Sequence, residues 1–234
     1  LIINRNKFYQ SSKKMTHLIK TVSLFLFVLF STNLVAQKYI KDNFKYKITY
    51  ELTAHLDSTD VEFVKTEKMD LLVGDKLSTF SSRAMSVENK LKIRGNSGRT
   101  SRNALTEFRY IIVKDREQKN TYYTEAIVQD DYYYKEKAID TIWKIDQETK
   151  QYNKYTCQKA TATWRGRSYT AWFTEQIPIA EGPYKFSGLP GLIVELYDDD
   201  KDYHFKLTSF EKLNASLEFK MRFKDYIKMT KEEL

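Results

Sequence analysis

Between Gly182 and Ile193 the chain reads Gly182-Pro183-Tyr184-Lys185-Phe186-Ser187-Gly188-Leu189-Pro190-Gly191-Leu192-Ile193. Three of the seven glycines and two of the three prolines of the whole protein fall in this stretch. Proline pins φ, and glycine opens backbone regions closed to other residues. Such density, ending in an apolar run, predicts a fixed backbone path rather than a loose connection. Gly182, Pro183, Gly188, Pro190 and Gly191 are therefore read as structural. Pro190 would stiffen the entry to a strand at Leu192, and Gly188 and Gly191 are expected in conformations hostile to alanine.

Around this segment the pattern is one of strands. Phe44-Lys45-Tyr46-Lys47-Ile48-Thr49-Tyr50-Glu51-Leu52 alternates with period two, the signature of a half-buried strand. Tyrosine and phenylalanine recur in similar runs, which suits sheet more than helix. Further strands are expected at 60–67, 69–73, 76–82, 107–114, 121–128, 132–135, 140–145, 152–163, 167–173, 192–197 and 203–210. No helical crossovers separate them, so antiparallel pairing is expected. The polar stretch 86–106 reads as a loop. The piece 215–233 reads as a helix, with Phe219, Phe223 and Tyr226 near one face. The expected fold is mainly β: a curved antiparallel sheet or partly open barrel with a C-terminal covering helix.

The first methionine is Met15, followed by a basic n-region, the apolar run Val22–Phe30 and a small residue, Ala36. This is the layout of a cleaved export signal, and the run is too short to span a bilayer. The expected organisation is an upstream extension at 1–14, a signal peptide at 15–36 and one domain at 37–234. No transmembrane segment is expected after cleavage, and the location is the periplasm or the cell exterior. Residues 1–36 hold five basic residues and no acid. Removing those five from the 39 basic residues leaves 34 against 31 acidic ones, a net of +3. That balance and the absence of base-binding signatures argue against a nucleic-acid partner.

Reaction motifs are scarce. His55 and His204 are the histidines after the leader and Cys157 is the only cysteine, so zinc spacing is absent and no cofactor or metal is expected. Cys157 reads as a buried small hydrophobe. Asp198-Asp199-Asp200-Lys201-Asp202 fails the EF-hand pattern, because Tyr203 and Ser209 stand where glycine and glutamate are needed. It reads as an acidic turn, with a loose calcium site as the alternative. More suggestive are Trp164, Arg165, Arg167 and Trp172, followed by Tyr184 and Lys185. Arginine binds carboxylate or phosphate through paired bonds, and tryptophan adds a large apolar face. These six form the candidate recognition rim. The alternative is a hairpin whose arginines pair with acids while the tryptophans pack.

An ordered set of short motifs carries a resemblance. They are Tyr155-Thr156-Cys157-Gln158-Lys159-Ala160, Arg165-Gly166-Arg167, Ala171-Trp172-Phe173-Thr174, Ile177-Pro178-Ile179, Gly182-Pro183-Tyr184-Lys185-Phe186 and Gly188-Leu189-Pro190-Gly191-Leu192-Ile193. In these the chain resembles the GLPGLI family, named for the last hexapeptide, most strongly over residues 140–210. The resemblance implies an exported Bacteroidetes envelope protein, often encoded near TonB-dependent outer-membrane transport proteins, with no catalytic set to carry over.

These readings rank a non-enzymatic binding or accessory protein first, with a peptide, a lipid-like ligand or an outer-membrane protein as partner. Two alternatives stand beside it. One is an envelope peptide or glycan hydrolase, which needs paired acids such as one from 198–202 facing Glu175 or Glu195. The other is a periplasmic lipid or peptide carrier, which needs a cavity lined by Phe, Leu and Tyr.

Overall fold

The computed structural model describes residues 39–56, 63–86, 106–139 and 141–234. The expected upstream extension, the signal peptide and positions 87–105 of the expected polar loop lie outside these described residues.

Twelve strands form one sheet. They are β1 (Tyr39–His55), β2 (Val64–Val73), β3 (Leu77–Ser82), β4 (Tyr110–Asp115), β5 (Asn120–Ile127), β6 (Asp130–Lys137), β7 (Lys144–Tyr152), β8 (Tyr155–Trp164), β9 (Arg167–Thr174), β10 (Leu192–Asp198), β11 (Tyr203–Arg222) and β12 (Ile227–Lys228). Their spatial order is β12-β6-β5-β4-β3-β2-β1-β11-β10-β9-β8-β7. Neighbours are antiparallel throughout, except that β12 runs parallel to β6. The long strands β1 and β11 pair at the centre, from Tyr39 opposite Arg222 to Ala54 opposite Tyr203. Sequential strands are neighbours from β1 to β6 and from β7 to β11, while β6 and β7 lie toward opposite edges.

Two expectations fail here. The sheet is open, with β7 and β12 as its two edges, so it does not curl into a partly closed barrel. There is also no C-terminal helix among the described residues. Residues 215–222 continue β11, and beyond them the chain makes a 3-10 turn at Phe223–Asp225 and the two-residue β12. The reason is the register of β1. Its first residues, Tyr39–Phe44, pair with 217–222 and would otherwise lack ladder partners. Leu217, Phe219 and Met221 fit a period of two as well as the start of a helical period. As a strand, Phe219 stacks on Phe44 at 5.2 Å, and Met221 is 1% exposed. Helical content among the described residues is limited to this turn and a second one, Arg83–Met85.

The sheet buries apolar side chains on both faces near its centre. Ile48, Tyr50, Leu52, Met69, Leu71 and Phe80 belong to the larger cluster. Leu72, Leu77, Val113, Tyr122 and Met221 belong to a second cluster. Along β2 the burial pattern accordingly changes from alternating to continuous.

The Gly/Pro segment packs into the larger cluster. Residues 175–191 connect β9 to β10 and insert Ile177, Phe186 and Leu189 into the larger cluster. Each such side chain contributes roughly 1.5–3 kcal/mol of burial. The loop is anchored far across the sheet. Glu181, 1% exposed, accepts a hydrogen bond from Ser78 Oγ at 2.8 Å. Its Oε2 lies 2.5 Å from Lys114 Nζ on β4, a charge contact, since no donor among the described residues is well aligned on that oxygen. Lys114 in turn donates to the carbonyls of Gly182 and Phe186 at 3.1 and 3.2 Å. At the loop's exit Gly191 has φ 153°, and an added Cβ would sit 2.1 Å from the Thr174 carbonyl oxygen. Only glycine lets the loop approach the end of β9 this closely.

Candidate aromatic and arginine pocket

The β8–β9 connection is a two-residue turn, Arg165-Gly166, with φ 52° and 79°. Positive φ at both central residues is what a turn matching strand twist requires. The turn sets Trp164 directly opposite Arg167 and leaves Arg165 at the tip. The Arg165 guanidinium lies 4.8 Å above the Trp164 ring, and its side chain is half exposed.

Beside this turn opens a pocket of about 320 Å³. Its wall is assembled from distant parts of the chain. Phe108 comes from just before β4 and Tyr110 from its start, Trp164 from β8, Arg167 and Tyr169 from β9, and Tyr203 and Phe205 from β11. Tyr184 and Phe186 come from the Gly/Pro loop, and Arg165 from the turn. Eight aromatic residues and two arginines thus line it, with no carboxylate among them. The rings pack edge to face, as aromatic quadrupoles prefer: Tyr110 with Tyr184 at 5.8 Å and 78°, and Trp164 with Phe186 at 5.4 Å and 77°. Tyr184 holds φ 55°, a left-handed conformation that is an outlier for a bulky residue. It sits between Pro183, whose φ is fixed, and the buried Lys185, and that placement turns its ring toward both Tyr110 and Trp164.

The hydroxyls of Tyr110, Tyr169 and Tyr184 on the wall stay protonated. Burial raises the pKa of Tyr110 well above its ordinary value and raises those of Tyr169 and Tyr184. They are therefore hydrogen-bond donors rather than bases.

Behind the wall, Arg167 Nη1 contacts Asp198 Oδ2 at 2.5 Å and Asp202 Oδ2 at 2.6 Å. Asp198 is buried and its Oδ1 also accepts the Tyr203 backbone N–H at 2.9 Å. Hydrogen bonds from Arg167 to Asp202 and Asp198 raise the arginine pKa further and keep it charged. The carboxylates of Asp198, Asp200 and Asp202 lie within 4.8 Å of one another. The Arg167 guanidinium, already bound to two of them, supplies the compensating charge that a calcium ion would bring.

Four of the six expected rim residues, Trp164, Arg165, Arg167 and Tyr184, line the pocket. The other two lie elsewhere. Trp172 is 5% exposed on β9, with Lys150 Nζ 4.2 Å over its ring and no partner for its Nε1 among the described residues. Lys185 is buried in a tyrosine cage, donating to Tyr134 Oη at 3.0 Å and to Glu136 Oε1 at 2.5 Å. The rings of Tyr123, Tyr134 and Tyr184 stand 5.2–5.5 Å from its ammonium. It is a loop anchor, not a rim cation. Sequence reasoning missed Phe108, Tyr110, Tyr169, Phe186, Tyr203 and Phe205, which converge only through the fold.

The two acids considered as half of a hydrolytic pair do other things. Glu195 accepts from His204 Nε2 at 2.7 Å and from Lys150 Nζ. Burial alone would raise its pKa, but these two hydrogen bonds and the lysine charge outweigh it and hold the carboxyl at about 2. Glu175 is exposed at the end of β9. Burial pushes the Cys157 thiol up to about 11, so it is not a ready nucleophile.

A family described as "Protein of unknown function (Porph_ging)" matches residues 165–195, from the Arg165 turn through the Gly188–Ile193 hexapeptide to Glu195. No curated protein matches the sequence. Among solved structures, PNGF-II in its C2 crystal form is similar, with TM-score 0.55 and 12% identity, over 81% of this chain and 32% of that one. Its P21 form gives TM-score 0.51 and 14% identity, over 74% and 29%. The chain spans about a third of the length of PNGF-II, and the likeness is one of fold. It corrects the ranking of a non-enzymatic role first: PNGF-II is an enzyme, so a fold of this kind occurs in a catalytic protein. A sequence without a reaction motif is therefore no argument against catalysis.

Proposed function

We propose that this chain is an exported domain that binds and hydrolyses glycans of the cell envelope, with the aromatic pocket as its sugar site. The observation that carries the reading is the pocket wall. A sugar ring has apolar C–H faces and a polar edge. Flat aromatic side chains accept the faces, while protonated tyrosine hydroxyls and arginines bond the hydroxyls. The wall holds no aliphatic side chain, which suits a flat ring better than an acyl chain. The fold shared with PNGF-II, a glycan-modifying enzyme, supports the same reading. GLPGLI membership is part of the proposal and rests on the ordered motifs of the sequence, ending in Gly188-Leu189-Pro190-Gly191-Leu192-Ile193.

In this reading Asp202 is the water-activating carboxylate. It is partly exposed and bonded to Arg167, itself a residue of the pocket wall. Asp198, buried and bonded to Arg167 and the Tyr203 N–H, positions that group. Tyr203, next in sequence and on the pocket wall, is the hydroxyl offered to the leaving group.

The test is turnover of envelope polysaccharides and glycopeptides by the purified protein, with released sugars identified by mass spectrometry. Wild type is expected to release product, and Asp202→Asn to slow release about 100-fold or more. Trp164→Ala is expected to weaken binding. No product from any glycan with folded wild-type protein would overturn hydrolysis. Full activity in the Asp202→Asn protein would remove that residue's role.

A further inference from the structure

The two arginines of the pocket wall are not electrostatically equivalent. Arg167 faces two carboxylates, Asp198 and Asp202, at hydrogen-bonding distance. Its charge is more than cancelled. Arg165 has a single acidic neighbour among the described residues, Glu136, at 3.6 Å. That carboxylate is shared: Lys185 Nζ lies 2.5 Å from its Oε1, and Lys231 Nζ lies 4.0 Å from its Oε2. One negative charge thus serves three cations. The deficit falls on Arg165, whose contact with Glu136 is long and whose side chain is half exposed.

Geometry adds to charge. Arg165 sits at the tip of a two-residue turn that positive φ makes tight, and its guanidinium is stacked over Trp164. Stacking pre-orders the planar fork, so less side-chain entropy is lost when a carboxylate binds it. The Trp164 ring is itself pocket wall. A ligand ring lying in the pocket therefore meets one under-compensated, pre-oriented guanidinium, Arg165, and one neutralised guanidinium, Arg167.

From this we infer that the pocket selects acidic sugars, a ring bearing a carboxylate that Arg165 clamps through two parallel bonds. The inference rests on the reading of the pocket as a sugar site. A neutral sugar gives Arg165 nothing to neutralise. A carboxylate on the ring closes the local charge balance, and paired N–H···O bonds are the strong, directional form of that contact. The acid is oriented toward Arg165 and away from Asp202, which would repel it.

The test is calorimetric titration with an oligosaccharide of uronic acid units and with the same oligosaccharide after its carboxyls are reduced to alcohols. Proteins are wild type, Arg165→Gln and Arg165→Lys, each checked for folding by its melting curve. Wild type is expected to bind the acidic form at least about tenfold more tightly, the scale of a charge-assisted paired bond. In Arg165→Gln the two affinities converge. Arg165→Lys keeps the charge but not the fork and falls between. Added salt weakens the acidic form more than the reduced one, since a half-exposed charge pair is screened. Equal binding of both forms by wild type, or a preference that survives in Arg165→Gln, overturns the inference and leaves the sugar site standing. Binding of neither form by folded wild type overturns both.

Discussion

Glu181→Gln tests whether the Gly/Pro loop is held in place by a buried charge pair. Side-chain exposure is 1% for Glu181 and 6% for Lys114. The substitution preserves shape but leaves the Lys114 ammonium without its acid, and Arg116 Nη1, 3.5 Å from Glu181, loses the same partner. Breaking a buried pair from one side costs about 3–5 kcal/mol. For a chain of this size that corresponds to a fall in Tm of roughly 6–20 °C. Lys114→Met is expected to be costly for a second reason, because the Gly182 and Phe186 carbonyls lose their donor. The double variant Lys114→Met/Glu181→Gln removes both charges together. Its cost is expected to be smaller than the sum of the singles by about 2 kcal/mol, within the range for groups in direct contact. Urea titration followed by tryptophan fluorescence measures all three. The same singles are expected to weaken sugar binding, because the Phe186 backbone hangs from Lys114 while its ring lines the pocket. Single variants that melt within about 2 °C of wild type, below the shift expected from even 1 kcal/mol, would refute the anchoring argument. So would strictly additive costs.

Two further predictions concern stability. Gly191→Ala is expected to destabilise more than Gly188→Ala. Both have positive φ, but a Cβ at Gly191 meets the Thr174 backbone at 2.1 Å while Gly188 has open space around it. Gly188→Ala should cost about 1 kcal/mol, and the reverse order in thermal melts would contradict the close-approach argument. Glu195 provides a pH signature. Its carboxyl is depressed from 4.5 to about 2 in the folded protein, so the stability it contributes is present above about pH 4.5. That stability is lost as pH falls toward about 2. Glu195→Gln is expected to flatten the stability-versus-pH curve across that window. An unchanged acid limb would show that the His204 and Lys150 contacts do not persist in solution.

Strand content, antiparallel pairing and the positive φ at Gly188 and Gly191 were legible in the sequence because each depends on neighbours along the chain. Period-two alternation at Phe44–Leu52 reports a face, and Arg165-Gly166 between two strand patterns reports a turn. The segment 215–222 shows where local reading stops. Phe219 and Phe223 suit a helical stripe, and only the unpaired start of β1 decides for a strand. Trp172 and Lys185 looked like surface recognition residues, and the fold buries both. Lys185 meets Tyr134 and Glu136 about fifty positions earlier, and no local pattern reports such a pairing. The pocket has the same origin. Its rings come from β4, β8, β9, β11 and the loop, and their convergence is a property of strand order. The unequal compensation of Arg165 and Arg167 is likewise invisible in the tripeptide that contains them. A charge's worth depends on which distant side chains the sheet sets beside it, and that is decided in three dimensions.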